Sequence, residues 1–191
     1  MLSHSGFGKV IGMPYGIVLL GANGSGKSTL GRELARVLHF THLDVETYWF
    51  HPTCPPYTSI RPPAVRNEML LADMERYESY VVSGDISGWG DEFLTRFDLA
   101  IFLAVPTDIR LRRIDHREYA RWGDRLCQGG DLYESHQKFR EFAASRDVAL
   151  LQQRALAYRC PLLPVDGMDG CRETAASIAE YVCTTLDIPQ P

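Results

Sequence analysis

The sequence contains very few lysines. Of its 20 basic residues, only Lys9, Lys27 and Lys138 are lysines, and the other 17 are arginines. The net charge of −4 is small and negative, whereas nucleic acid or an anionic membrane would need a broad basic surface. We therefore expect neither partner, and any phosphate-binding site must be local. Lys27 is the sole lysine between residues 10 and 137, which makes it a candidate for such a site.

Long hydrophobic runs and paired cysteines are also absent. No stretch approaches the ~20 apolar residues of a transmembrane helix. The five cysteines form no C-x-x-C pair and lie in no cluster with zinc-ligand spacing. This odd, scattered set predicts buried, reduced cysteines in a cytoplasmic protein rather than a disulfide framework. Residues 1–14 lack the apolar core and cleavage pattern of a signal peptide, and we expect a disordered extension there. For the oligomeric state, the expectation is a monomer or a weak homodimer.

Short apolar runs alternate with longer amphipathic stretches. The runs at 17–20, 40–43, 80–83, 98–105 and 162–165 predict five strands. Helices are expected at 27–38, 62–78, 132–158 and 173–186, and another begins near Asp108 with Thr107 as its cap. The proline-rich segment 51–63 suits neither a helix nor an inner strand. This alternation predicts a parallel sheet covered by helices on both faces, within one domain spanning residues 15–186.

One nine-residue stretch, GANGSGKST, lies between the first strand and the first helix and matches the phosphate-loop (Walker A) pattern G-x-x-x-x-G-K-[ST]. Glycines allow positive φ angles that turn successive N–H groups toward an anion, and the helix N-terminus adds partial positive charge. Lys27 is expected to contact the β- and γ-phosphates, and Ser28 to ligate Mg²⁺. The pattern predicts nucleotide binding but does not identify the reaction. The predicted binding residues are Gly21, Ala22, Asn23, Gly24, Ser25, Gly26, Lys27, Ser28 and Thr29.

Six arginines are concentrated between residues 110 and 125. Four of them are spaced four apart and share one helix face for as long as the helix persists: Arg113, Arg117, Arg121 and Arg125. Like charges at this spacing repel each other, and an anion between them would relieve that cost. The row therefore predicts phosphate binding. Acidic neighbours such as Asp115 support the alternative of a solvated charged face.

The stretch VPTDIRLRRIDHRE, which begins at Val105, resembles the entry to the lid of the adenylate kinase-like nucleoside monophosphate kinases. PVDGMDG, residues 164–170, resembles the last strand and the adenine-side loop of that family. The resemblance implies a three-layer α/β/α P-loop NTPase fold. Its five-stranded parallel sheet would have the order 2-3-1-4-5, with an arginine-rich lid at about residues 114–131. It also implies that Arg113 packs near the ATP base and that Arg117 contacts the transferring phosphates, with Arg121 of the same row as a further catalytic candidate.

Carboxylates that follow the second and third strands are candidates for the acceptor side. Asp44 and Glu46 have a D-x-E spacing that resembles the D-x-D of shikimate and gluconate kinases. On an extended segment they would share a face and address Mg²⁺-bound water or an acceptor hydroxyl; a solvated strand end is the alternative. Asp85 is a candidate for catalysis and for Mg²⁺, against the alternative of a turn-forming aspartate. Arg61 and Arg66 are candidates for binding an anionic acceptor.

The sequence departs from adenylate kinases on the acceptor side. It has no Gly-Phe-Pro-Arg stretch after the third strand, and this half leans toward the shikimate and gluconate kinases. We expect an ATP- and Mg²⁺-dependent kinase that moves the γ-phosphoryl group of ATP to a small-molecule or nucleotide acceptor. A P-loop ATPase and a nucleotide-responsive binding protein are the alternatives; the guanine motif Asn-Lys-x-Asp of GTPases is absent. Three tryptophans near these loops are expected to pack rather than to stack on a base: Trp49, Trp89 and Trp122.

Overall fold

A computed structural model describes residues 15–185 of the chain. The predictions for residues 1–14 and for Leu186 lie outside this range. The strands are β1 (Tyr15–Leu20), β2 (Thr41–Asp44), β3 (Ser79–Ser83), β4 (Leu99–Ala104) and β5 (Leu162–Asp166). The helices are α1 (Lys27–Leu38), α2 (Val45–Trp49), α3 (Pro63–Arg76), α4 (Asp91–Leu94), α5 (Thr107–Trp122), α6 (Tyr133–Ala144), α7 (Val148–Ala155) and α8 (Cys171–Thr185), with a 3-10 turn at Gly123–Leu126.

All strand pairs in the sheet are parallel, and the order β2-β3-β1-β4-β5 is the predicted one. The central strand β1 is buried along its whole length. Its successive side chains point to opposite faces, so that Val18 belongs to one hydrophobic cluster and Ile17 to the other. Each fully buried aliphatic side chain of this kind contributes roughly 1.5–3 kcal/mol. The α/β/α prediction is confirmed, and the loops after the strands meet at the carboxyl edge, where open α/β sheets bind ligands.

The start of α5 differs from the prediction. Thr107 does not cap the helix with its side chain, because the helix begins at Thr107 itself and Pro106 is the residue at the cap position. The Thr107 hydroxyl instead accepts a hydrogen bond of 2.9 Å from Arg110. The proline fixes the backbone angle that starts the helix, and the threonine is left free for this second role.

The arginine row is shorter than predicted. Helix α5 ends at Trp122, and Gly123 follows with φ 54°. Arg125 consequently leaves the face that holds Arg113 and donates to both carboxylate oxygens of Asp131, at 2.9 and 2.6 Å. The glycine that sequence analysis treated as part of the lid terminates the helix.

The single helical region expected at residues 132–158 is divided in two. Helix α6 ends at Ala144, and the side chain of Asp147 accepts a hydrogen bond from the Leu150 backbone N–H at 3.0 Å, which starts α7. An aspartate at this position is a preferred helix cap. The break places Arg146 in the short connection between the two helices, and its charge lowers the pKa of Lys27 in the phosphate loop.

The cysteine prediction was partly wrong. All five cysteines are free, but only Cys183 is buried, while Cys54 and Cys127 are exposed. Both exposed cysteines lie outside the regular strands and helices that build the core. Within residues 15–185, no helix is long and apolar enough to cross a membrane.

Candidate nucleotide and acceptor site

The phosphate loop connects β1 to α1 and depends on its glycines. Gly24 and Gly26 have φ angles of 80° and 100°, a region that L-residues rarely adopt. A Cβ on Gly24 would also lie only 2.5 Å from the backbone oxygen of Arg110. Helix α1 begins at Lys27 without a side-chain cap on its N-terminus. The N–H groups of its first turn, which contains Ser28 and Thr29, are therefore suited to an anion.

Lys27 lies at the centre of the charges around this loop. Its Nζ donates to the backbone oxygen of Ala22 at 3.1 Å. The pKa of Lys27 is lowered to about 8, mainly by desolvation in the surrounding protein, and the positive charges of Arg146 and Arg110 add to this effect. The carboxylates of Glu46 and, after it, Asp44 act in the opposite direction on this pKa. Two carboxylates and three cations thus surround the position where the terminal phosphates are expected.

This lowered pKa predicts that ATP affinity depends on pH. In the free protein Lys27 carries its charge below about pH 8 and loses it above, and a bound triphosphate favours the charged form. We expect ATP to bind about tenfold more weakly at pH 9 than at pH 7, and proton uptake on binding near pH 8. Titration calorimetry in two buffers of different ionisation enthalpy measures both effects. Lys27→Met should bind weakly at every pH, and a wild-type affinity that is flat from pH 7 to 9 would contradict the assignment.

Arg110 holds the phosphate loop against the rest of the site. Its side chain is fully buried, and it donates to the backbone oxygens of Asn23 and Ala143, each at 3.0 Å, besides the Thr107 hydroxyl. One guanidinium thus joins the loop, the start of α5 and the end of α6. Burial lowers the pKa of Arg110, but these three acceptors compensate the buried cation. From the sequence, Arg110 was recognised only as one of six clustered arginines, and this bridging role was not predicted.

Replacement of Arg110 should destabilise the protein. Arg110→Met keeps the aliphatic stem but leaves two buried carbonyl groups without their donor, and we expect a loss of about 3 kcal/mol in the free energy of unfolding. For a chain of this size the expected fall in Tm is roughly 6–12 °C. Arg112→Met is the matched control, because Arg112 is 69% exposed and pairs only with Asp108 on the same helix. Thermal unfolding of the two variants measures the difference, and equal Tm values would refute the role of Arg110.

The arginines of α5 have different partners. Arg113 donates to the backbone oxygens of Ser25 at 3.1 Å and Gly167 at 2.9 Å. It thereby links the phosphate loop to the loop after β5, on the side where the resemblance places the ATP base. Arg117 pairs with Glu118 at 2.7 Å. Burial and then Glu46 raise the pKa of Tyr57, and the nearby Arg121 opposes this effect. Arg117 and Arg125 thus have acidic partners within the chain, and phosphate binding by the row stays a prediction.

The carboxylates after β2 are not on one extended segment. Asp44 ends β2 and is the N-cap of α2, where its Oδ1 accepts from the Glu46 backbone N–H at 3.1 Å. Glu46 lies in the first turn of α2 and is exposed. The prediction that the two residues share the face of an extended segment was therefore wrong, because a helix begins between them, at Val45. Both carboxylates nevertheless lie within electrostatic range of Lys27.

Asp85 follows β3 and has well-defined partners. Its Oδ1 accepts from the Ser87 backbone N–H at 2.9 Å and from the Tyr158 hydroxyl at 3.3 Å. The same hydroxyl accepts from the Ile86 N–H at 2.9 Å. Burial, then the charge of Asp85, strongly raises the pKa of Tyr158, which keeps the phenol protonated as a donor. The contacts fit the turn-forming alternative, and a magnesium role for Asp85 stays a prediction.

Arg66 is buried between two tryptophans. Its guanidinium carbon lies 3.8 Å from the ring centre of Trp49 and 4.3 Å from that of Trp89, an arrangement that favours a cation over two π faces. Arg61 contacts the Nδ1 atom of His51 at 3.0 Å. Trp49 and Trp89 therefore pack within the protein, as expected.

A cavity of about 400 Å³ adjoins the phosphate loop on the side of β2. Asn23 and Glu46 line it on the side of the loop, and Arg117 and Trp122 line it from the end of α5. The proline-rich segment and α6 supply most of the remaining walls. The size is typical of small-molecule sites. Arg113 and Gly167, which mark the expected base side, do not line this cavity.

Three residues of this site were missed or given no role by the sequence analysis. Arg110 and Arg146 lie close enough to Lys27 to lower its pKa, and Glu118 neutralises Arg117. Arg146 stands alone in the sequence, and no motif marks it. For Glu118, the one indication in the sequence was its position as an acidic residue next to Arg117 of the arginine row.

The sequence matches one family model and is similar to characterised and uncharacterised bacterial proteins. The family model described as AAA domain matches residues 17–135. The uncharacterized protein YqaC of Bacillus subtilis (strain 168) is 35% identical over 178 residues, which cover 89% of this chain and 98% of YqaC. The shikimate kinase of Bacteroides fragilis (strain ATCC 25285) is 32% identical over 108 residues, but these cover 51% of this chain and 60% of that kinase.

Solved structures show the same fold. The shikimate kinase from Acinetobacter baumannii in complex with shikimate has a TM-score of 0.54 at 19% identity, and the alignment covers 91% of this chain and 95% of that one. The shikimate kinase from Bacteroides thetaiotaomicron has a TM-score of 0.54 at 22% identity, with 91% and 98% covered. The complete phosphate loop and the 2-3-1-4-5 sheet accompany these matches. The chain therefore belongs to the AAA domain family and has the fold of the adenylate kinase-like P-loop kinases.

Proposed function

We propose that this protein transfers the γ-phosphoryl group of ATP to a hydroxyl group of a small molecule. The observation that carries the proposal is the cavity beside the phosphate loop, which Asn23, Glu46 and Arg117 line together. A hydrolase needs only water at the γ-phosphate, whereas a cavity of about 400 Å³ has room for an organic acceptor. The shikimate kinase fold of the chain agrees with this reaction.

The chain's own residues provide for each part of the transfer. The phosphate loop and Lys27 bind the β- and γ-phosphates, and Glu46 accepts the proton of the acceptor hydroxyl. The hydroxyl oxygen forms a bond to the γ-phosphorus while the bond from that phosphorus to the β–γ bridging oxygen breaks. The products are ADP and a phosphate monoester, and the proton remains on Glu46 until solvent removes it. Arg113 orients the nucleotide through its link between the phosphate loop and the loop after β5.

Magnesium is the metal that this donor set fits. Ser28, Asp44 and Asp85 present hydroxyl and carboxylate oxygens at the carboxyl edge of the sheet, and oxygen atoms are the ligands that Mg²⁺ takes. Within residues 15–185 no group of three or more histidine, cysteine or acidic side chains forms a metal cage. When bound, Mg²⁺ neutralises charge on the β- and γ-phosphates.

Arg117 and Arg121 lie in the proposed lid, residues 114–131, and are proposed to stabilise the charge that spreads over the transferring phosphoryl group. Arg117 is 49% exposed and its partner Glu118 is on the same helix, so a stronger anion can replace this carboxylate. Arg117→Ala should lower kcat about 10²-fold and change ATP affinity little. Steady-state kinetics beside direct ATP binding separates the two effects. A loss confined to ATP affinity would show that Arg117 binds the ground state only.

An acceptor screen tests the function directly. The protein with ATP·Mg²⁺ is assayed for ADP release in the presence of single candidate acceptors: sugar acids, shikimate, nucleosides, nucleoside monophosphates and hydroxylated aromatic compounds. We expect ADP release to depend on one class of acceptor. Release of ADP at the same rate with and without every acceptor would favour the ATPase alternative.

A further inference from the structure

We propose that the acceptor is a neutral molecule with an aromatic or heteroaromatic ring and a hydroxyl group. This inference rests on the proposed function, because it names the substrate class for the same site. Five aromatic side chains line the cavity beside the phosphate loop: Phe50, Tyr57, Trp122, Phe139 and Phe142. They come from the segment after α2, from the end of α5 and from α6, so three separate parts of the chain converge on one apolar space.

The aromatic walls are arranged as a ring-binding site. Phe50 and Tyr57 meet edge to face, with ring centres 5.2 Å apart and planes at 68°. Trp122 and Phe139 contribute from the other two segments. Aromatic rings prefer such tilted or offset neighbours, and a planar ligand gains both burial and ring contacts. A polyhydroxylated acceptor without an aromatic ring would instead leave hydroxyl groups without partners against these walls.

The charges of the cavity disfavour an anionic acceptor. Arg117 is the one arginine or lysine among the lining residues, and in the proposed mechanism it contacts the transferring phosphoryl group rather than the acceptor. Glu46 also lines the cavity, and it would repel a carboxylate or phosphate on the acceptor. The arginines considered earlier for anion binding are elsewhere, since Arg66 lies between two tryptophans and Arg61 contacts His51.

The polar residues fix the orientation of such a molecule. Asn23 and Glu46 line the cavity beside the phosphate loop, and the aromatic residues of α6 line another part of its wall. The acceptor's hydroxyl therefore points to Glu46, which takes its proton, and the ring lies toward Phe139. Phosphorylation gives ADP and a phosphate monoester of this ring compound, as in the balanced step above.

Binding experiments on the full chain test this inference separately from catalysis. Uridine, pyridoxine and tyrosol serve as neutral probes with an aromatic or heteroaromatic ring. Shikimate and gluconate serve as anionic comparisons without such a ring. Each is titrated by calorimetry in the presence of Mg²⁺ and a non-hydrolysable ATP analogue. At least one neutral ring probe should bind at least about tenfold more tightly than either acid. Phe139→Leu should weaken that probe about tenfold, whereas Tyr181→Leu, on α8 outside the cavity, should not.

A fluorescence readout covers the case in which Phe139→Leu fails to fold. Trp122 lines the cavity and the other two tryptophans do not, so the probe should change tryptophan emission in the wild type but not in Trp122→Phe. Phosphorylation of shikimate or gluconate in preference to the ring probes would overturn the inference and retain the kinase. Failure of every ring probe to bind would overturn it too. Ring binding without transfer from ATP would support the pocket and contradict the proposed function.

Discussion

Lys27→Ala is expected to reduce phosphoryl transfer about 10³-fold, with the fold intact. The reason is that the Lys27 ammonium lies in the phosphate loop, desolvated to a pKa of about 8, and a charge in such a site stabilises the charge that develops on the transferring group. In the free protein its Nζ makes one 3.1 Å hydrogen bond to the Ala22 backbone oxygen. Its loss should therefore affect stability much less than turnover. Initial rates at saturating acceptor and ATP, beside a thermal unfolding curve, provide the measurement.

The chain offers a matched control for this experiment. Lys138→Ala also removes one lysine, but Lys138 is exposed on α6 and does not line the cavity. It should retain wild-type kinetics. If folded Lys27→Ala protein retained more than a tenth of wild-type turnover, the proposed role of the phosphate loop in phosphoryl transfer would be wrong.

Glu46→Gln is expected to reduce kcat by about 10²–10⁴-fold with ATP affinity nearly unchanged. Glutamine keeps the size and position of the side chain but cannot accept the proton from the acceptor hydroxyl. Glu46 lines the cavity and has the largest favourable charge effect on Lys27, which places it between acceptor and phosphates. The kcat of the variant and its direct ATP affinity provide the measurement. Glu68→Gln, an exposed change on α3, is the control.

A comparison of Asp44→Asn with Glu46→Gln distinguishes the residue that accepts the proton from a residue that binds Mg²⁺. Asparagine caps α2 as well as aspartate does, so the helix that carries Glu46 should persist. If Asp44 holds Mg²⁺, raising the Mg²⁺ concentration should restore part of the activity of Asp44→Asn and none of that of Glu46→Gln. Full loss in Asp44→Asn without any Mg²⁺ dependence, together with an active Glu46→Gln, would transfer the role of base to Asp44.

The fold and the phosphate loop were predictable because their signals are local. Residues 21–28 carry a complete motif between an apolar strand and an amphipathic helix, and the buried strands are nearly continuous apolar runs. The sheet order followed from the family resemblance. The strands and the phosphate loop follow from short-range sequence patterns, and the rules for connecting parallel strands leave few possible topologies.

The roles of the arginines were harder to predict, since they depend on tertiary partners. Arg110 and Arg113 belong to the same helix, yet Arg110 is buried and donates to two backbone carbonyls and the Thr107 hydroxyl, whereas Arg113 bridges two loops. Periodicity places both on α5 but does not show which backbone oxygens approach them. Arg146 depends on a break between α6 and α7 that a single aspartate introduces.

The acceptor cavity was beyond sequence analysis for a similar reason. Its walls come from residues between Asn23 and Phe142, which are far apart in the chain. The proline-rich segment looked only like an irregular connection, although it contributes Tyr57 to the cavity. The helix that begins after Asp44 also separated the two carboxylates that an extended segment would have placed together.

The fate of the γ-phosphoryl group tests the central claim most directly. The wild-type protein is incubated with Mg²⁺, ATP labelled at the γ-phosphate and the best-binding ring probe, and the products are resolved by chromatography and phosphorus NMR. The proposed mechanism predicts one labelled phosphate monoester of the probe for each ADP formed, and about 10³-fold slower transfer of the label by Lys27→Ala. Label found only as inorganic phosphate, at a rate independent of the probe, would contradict it.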